Sequence, residues 1–201
     1  MRLPTENQCL DYFKEYHVPN NIFEHCLNVR NLAMFIAERF VEKGISVNLD
    51  LVNCLALLHD LFKVVAFKEL KPNQFHNYSF SEDEILMWKN LREKFPGMYE
   101  DAVAYEVFKD EFPEMAFNLK EISNHHSKDR SWEEIIVHYA DLRVFKNKVV
   151  TLAERLEYLT QIYLKDAESW RKDVEQVKLF ENKIVEQIGL SPEEIAMAVE
   201  R

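Results

Sequence analysis

Glycine is nearly absent from this sequence, at three residues in 201, where an average chain carries about 7%. Tight hairpins and small barrels draw on glycine wherever φ must be positive, and no Asn-Gly, Asp-Gly or Gly-Gly pair occurs. The shortage argues against a β-rich fold. It also argues against a dinucleotide-binding fingerprint and a P-loop, which both need glycine at fixed spacing. Cysteine is scarce as well: Cys9, Cys26 and Cys54, an odd number with no Cys-x-x-Cys spacing. That speaks against a disulfide framework and a cysteine-type zinc site, and suits a reducing compartment. Long apolar runs are missing too. The most apolar stretch, Leu51 to Phe67, is interrupted by His59, Asp60 and Lys63, so it is too short and too polar to span a bilayer. The first six residues, Met1 to Glu6, contain no apolar signal segment. A cytoplasmic protein with no membrane partner is expected. Positive charge is in deficit: 25 Lys and Arg against 35 Asp and Glu leave a net charge of −10. Such a chain repels a nucleic-acid duplex overall, so a phosphorylated ligand must be small and met by local positive charge.

The chain has a hydrophobic fraction of 47% and a charged fraction of 30%, the make-up of a globule. Its length suits one domain of about 100–200 residues. Punctuation divides it into nine or ten helices. They fall near residues 5–16, 21–43, 48–62, 82–94, 99–111, 113–124, 132–147, 149–167 and 169–188, with a short one opening at Ser191-Pro192. Ile22, Cys26, Val29, Leu32, Ala33, Ile36 and Phe40 recur at helical spacing. Asn20 or Asn21 can cap that helix, and Gly44 suits its exit. Ser81 to Glu84 and Ser131 to Glu134 read as capping boxes. The fold class is all-α.

Ionisable residues on apolar helix faces carry the chemistry. His25 lies in line with Val29, Leu32 and Ile36; alone it reads as an ordinary core histidine. His59-Asp60 sits inside Leu55 to Phe62, where a buried carboxylate costs several kcal/mol unless it is paired or coordinated. Neighbouring helical residues diverge by about 100°, so both can reach one cation only near a helix end. Asp141 repeats the oddity on a face with Val137, Val144 and Phe145. Arg143 follows it too closely to face it across a helix. Two histidines and two aspartates make an economical set around a divalent cation, with Mn, Fe, Co, Ni or Zn favoured over Mg. Lys63, one turn after the pair, can hold a phosphate. His125-His126 falls at a helix end.

The order His25, then Leu57-Leu58-His59-Asp60-Leu61-Phe62-Lys63, then Ile122-Ser123-Asn124-His125-His126, then Tyr139-Ala140-Asp141 resembles the HD superfamily of metal-dependent phosphohydrolases. The resemblance covers a core of about residues 18–150 and leaves a helical extension of about 151–201. It implies an all-α bundle in which His25, His59, Asp60 and Asp141 are the metal ligands. It also implies that Lys63 matches a lysine found in many members. One departure stands out: two-metal members carry a further histidine where this chain has Tyr99. That leaves His125 without its partner and favours a single ion, although Glu100 or His76 can restore a second site.

The resemblance implies hydrolysis of a phosphate ester, with Asp60 accepting a proton from metal-activated water. Lys63, His125, His126 and Arg143 then serve the phosphoryl group or the water, and Lys128 and Arg130 form a positive rim for the substrate. A nucleotide or small phosphomonoester is the first expectation. The aromatic residues of 67–96, Phe75, Tyr78, Phe80 and Trp88 among them, either stack a base or pack the segment onto the core. Two rivals stand beside the enzyme. One is a degenerate HD domain that senses metal or nucleotide without turnover. The other is a helical interaction module, whose stripes from Leu152 to Ile188 either dock on the chain's own core or form a homodimer contact.

Overall fold

The computed structural model describes residues 1–72, 78–122, 130–145, 147–162 and 167–199. Among these the chain forms ten α-helices. They are α1 (Glu6–Glu15), α2 (Asn20–Glu42), α3 (Leu49–Leu58), α4 (Glu82–Lys94), α5 (Glu100–Phe108), α6 (Pro113–Ile122), α7 (Trp132–Arg143), α8 (Leu152–Ile162), α9 (Ala167–Ile188) and α10 (Pro192–Val199). A 3-10 turn, Lys63–Ala66, follows α3. The exception to helix is a hairpin of β1 (Val144–Phe145) and β2 (Lys148–Val149), with Val144 opposite Val149. The all-α expectation holds. No helix among the described residues is long and apolar enough to cross a membrane.

Short-range chemistry starts and stops the helices. Thr5, Ser81 and Ser131 each close a reciprocal box with the residue three positions on, Gln8, Glu84 and Glu134. Thr151 with Glu154 and Ser191 with Glu194 repeat it. Each box satisfies amides that a helix start leaves orphaned. At α2 the expected asparagine cap is not used. Pro19 holds the cap position without a side-chain bond, while Asn20 donates to Glu24 at 2.6 Å. Gly44 ends that helix with φ +79°, its amide returning to the Val41 carbonyl and that of Ile45 to Phe40, both at 2.9 Å. A Cβ at Gly44 would meet nothing within 4 Å. Gly44→Ala should therefore cost only the left-handed backbone penalty, about 1–2 kcal/mol, with the denaturation midpoint lowered and the slope unchanged.

Two of the helices that stop earlier than their apolar patterns suggest bear on the chemistry. α3 ends at Leu58 rather than near 62. A continuing helix would give the Ala56 carbonyl to the amide of Asp60. Instead that carbonyl accepts from the His59 ring at 2.8 Å. α7 ends at Arg143 rather than near 147. There the Arg143 carbonyl accepts from the Val150 amide at 2.7 Å, and Asn147, one of the residues that tolerate left-handed backbone, turns the hairpin at φ +62°.

The core is centred on α2, α3 and α7. α3 is buried nearly all round, from Leu51 to Leu58. α2 presents Ile22, Cys26, Val29, Leu32, Ala33, Ile36, Ala37 and Phe40. Phe180, Ile184 and Ile188 of α9 and Ile195 of α10 join the same cluster, and Leu152, Leu156 and Val177 form a smaller one. The second C-terminal stripe thus docks on the main core through Phe180, Ile184 and Ile188, whereas Leu152 and Leu156 of the first pack with Val177; Tyr163 lies outside the described residues. The described aromatics of 67–96 pack as well. Trp88 is fully buried and its Nε1 faces the carbonyls of Tyr16 and His17 at 3.3 and 3.2 Å. Phe67 and Phe80 meet its ring edge-on. Phe75 and His76 lie outside the described residues.

Candidate metal centre

Three elements bring the chemistry together. α2 supplies His25, the exit of α3 supplies His59 and Asp60, and α7 supplies Asp141. One ligand atom from each of His25, His59 and Asp60 falls within 4.8 Å of the others. Asp141 closes the group: its Oδ1 lies 2.9 Å from His25 Nε2 and 3.5 Å from His59 Nε2. Asp60 Oδ2 is 3.9 Å from His59 Nε2. The early end of α3 is what lets adjacent residues share one centre.

The donor set fits a cation. A carbonyl only accepts, so the bond from His59 to Ala56 places a ring proton on Nδ1 and makes Nε2 the nitrogen that can give up its proton to a cation. His59 is 6% exposed, and its Nε2 is buried without a hydrogen-bond partner. That is how an imidazole ligand is oriented, with one nitrogen bonded to a supporting oxygen and the other free for the metal. His25, His59 and Asp60 can hold a divalent ion whose identity stays open among Mn, Fe, Co, Ni, Zn and Mg.

The electrostatics agree with this reading. Burial by itself would lower the His59 pKa, but the charges of Asp60 and Asp141 outweigh it and raise it to about 9. Burial would likewise raise both aspartates. Lys63 and His59 outweigh it at Asp60, and the hydrogen bond from His25 with the nearby His59 ring holds Asp141 well below the usual carboxylate range. Both carboxylates stay ionised, and their field attracts a proton or a metal ion. Beneath them, burial foremost and then Asp60 push the Cys26 thiol up, so it remains an uncharged filler.

Lys63 also reaches the centre. Its Nζ donates to Asp60 Oδ1 at 3.2 Å and to Glu100 Oε1 at 2.8 Å, and the side chain is 42% exposed. Asp60 raises the ammonium's pKa most, against burial, with Glu100 adding to the rise. Tyr99 is the N-cap of α5 and 73% exposed, whereas Glu100, the next residue, turns inward to Lys63.

Arg143 departs from its expected role. It is fully buried, and residues two apart on a helix point to opposite sides, so it lies behind Asp141. Its guanidinium bonds the Tyr139 hydroxyl, the Val150 carbonyl, the Pro192 carbonyl at 2.8 Å and Glu181 at 3.5 Å. It is a strut between α7 and the C-terminal helices, not a group that can meet a phosphoryl oxygen. Arg130 donates to the Ile122 carbonyl at 3.1 Å and lies over the Phe180 ring, tying the exit of α6 to α9. His125, His126 and Lys128 lie outside the described residues. The Arg143 network was missed at the sequence level, because Glu181 and Pro192 are far along the chain and share no motif with α7.

A model of the HD domain matches residues 22–159. The chain belongs to the HD-domain family. As an HD protein it is also 30% identical over 127 residues to the dihydroneopterin 2′,3′-cyclic phosphate phosphodiesterase of Methanocaldococcus jannaschii. That stretch covers 60% of this chain and 44% of the relative, so the HD chain spans less than half the relative's length. No solved structure matches it.

Proposed function

We propose that this chain is a metal-dependent phosphohydrolase that cleaves a phosphate ester of a small, nucleotide-like molecule, with His25, His59, Asp60 and Asp141 as the ligands of one ion. The observation that carries the reading is the meeting of these four side chains, from α2, the turn after α3 and α7, around the buried Nε2 of His59. When bound, a divalent ion there supplies Lewis acidity to a water and to a phosphoryl oxygen. The chain's own groups do the rest. Asp60 is ionised and directs one oxygen to the centre, so it can accept the proton of the attacking water. An ammonium has three donors; Lys63 gives two to Asp60 and Glu100, and its exposed side leaves the third for an equatorial oxygen of the substrate. A phosphomonoester was the first expectation, and the name of the archaeal relative adds a cyclic phosphodiester.

The test is hydrolysis of an aryl phosphate and of 2′,3′-cyclic nucleotides by protein loaded with Mn or Co, beside His59→Ala. Turnover in the wild type that disappears in the variant supports the enzyme. Ligand binding with no turnover across the set replaces it with the sensor reading, for which the outward-facing Tyr99 is the argument.

A further inference from the structure

Lys63 is held by more negative charge than it carries. Its ammonium bridges Asp60 and Glu100, and contacts of 3.2 and 2.8 Å through one nitrogen keep the two carboxylates within about 6 Å of each other. Glu100 stands 19% exposed and its Oε2 is buried without a hydrogen-bond partner. Glu100 does not cap α5: the start of that helix has no side-chain cap bond, and the Ala102 amide donates to Asp101. We propose that Glu100 is a specificity-determining residue which sets the site against dianionic phosphomonoesters and in favour of singly charged phosphodiesters.

This inference rests on the hydrolase reading above. Asp60, Asp141 and Glu100 bring three negative charges. Lys63 and a divalent ion beside neutral imidazoles bring three positive ones. The loaded centre is therefore neutral before substrate arrives. A diester adds one negative charge, and a monoester above its second ionisation adds two. Two partners of one ammonium lie within about 6 Å of each other, so a phosphate oxygen that takes the third proton of Lys63 meets the Glu100 charge at a comparable distance, and one extra unit of repulsion there changes affinity roughly tenfold to a hundredfold. Glu100 thus discriminates at the entry of substrate, and the same repulsion expels a doubly charged product. Replacing it with glutamine keeps the shape and removes the charge.

The experiment uses metal-loaded wild type, Glu100→Gln and Glu100→Asp. Calorimetry measures inorganic phosphate and dimethyl phosphate at a pH where the former is a dianion, and kcat/KM is compared for an aryl monoester and an aryl diester. In Glu100→Gln, phosphate is expected to bind at least about tenfold more tightly, while dimethyl phosphate changes less. The monoester-to-diester ratio of kcat/KM rises in step, and Glu100→Asp, which keeps the charge, returns it toward wild type. Equal changes for both ligands, unchanged phosphate affinity, or no phosphate binding in any form overturns the proposal. So does the loss of one of two bound metal ions in Glu100→Gln, because Glu100 would then be a ligand. Phosphate affinity is read without turnover, so an inactive wild type removes the hydrolase reading while the binding comparison still decides the role of Glu100.

Discussion

His59→Ala should lose its metal. Loss of a merely supporting contact at a metal centre costs about 10–100-fold in affinity, and removing the most buried of the proposed ligands should exceed that range. Metal content after dialysis, by elemental analysis, gives the first reading. Stability gives the second. An ion present at about a thousand times its Kd raises the unfolding free energy by about 4 kcal/mol, so Mn or Co should lift the melting temperature of wild type and leave His59→Ala unmoved. His25→Ala and Asp141→Asn should behave alike, because the groups act as a unit and single losses do not add. A variant that keeps full metal affinity would remove that residue from the ligand set. If all three keep it, the cluster is an ion-pair network among helices and nothing more.

The second large effect lies behind the metal centre. Arg143→Met should destabilise the fold by about 3–5 kcal/mol, the usual cost of taking one partner out of a buried ionic network. It strips the guanidinium from Tyr139, Glu181 and the carbonyls of Val150 and Pro192 together. Glu181→Gln should cost only about 1 kcal/mol, since Glu181 is partly exposed and keeps a hydrogen bond from Tyr139. The pair together should fall short of the sum, with a coupling of about 0.5–3 kcal/mol. Urea unfolding measures all three. An Arg143→Met midpoint equal to wild type would mean that the network contributes nothing.

What could be read from the residues follows the range of the interactions. Helices are local, so capping boxes such as Ser131 to Glu134 and the apolar stripe of α2 announced themselves. The convergence of His25, His59, Asp60 and Asp141 was legible for a different reason. A carboxylate on an apolar face demands compensation, and two such faces suggest a shared one. The end of α3 was not legible, because it is fixed by a ring proton reaching the Ala56 carbonyl, which does not alter the hydrophobic period. Arg143 was misjudged because its neighbour Asp141 faces the other way, and its partners, forty or so residues on, carry no pattern. Glu100 was visible only as a spare acid near a missing histidine; its hold on Lys63 required the packing of α5 against the turn after α3.

The struts behind α7 have a practical corollary for anyone trimming this protein. The HD-domain match stops at residue 159, yet Glu181 and Pro192, which grip Arg143, both come later. A fragment cut at the boundary of similarity would bare a guanidinium that had been sealed from water and would loosen the rear of the helix bearing Asp141. Domain borders drawn from kinship alone would excise the buttress along with the tail.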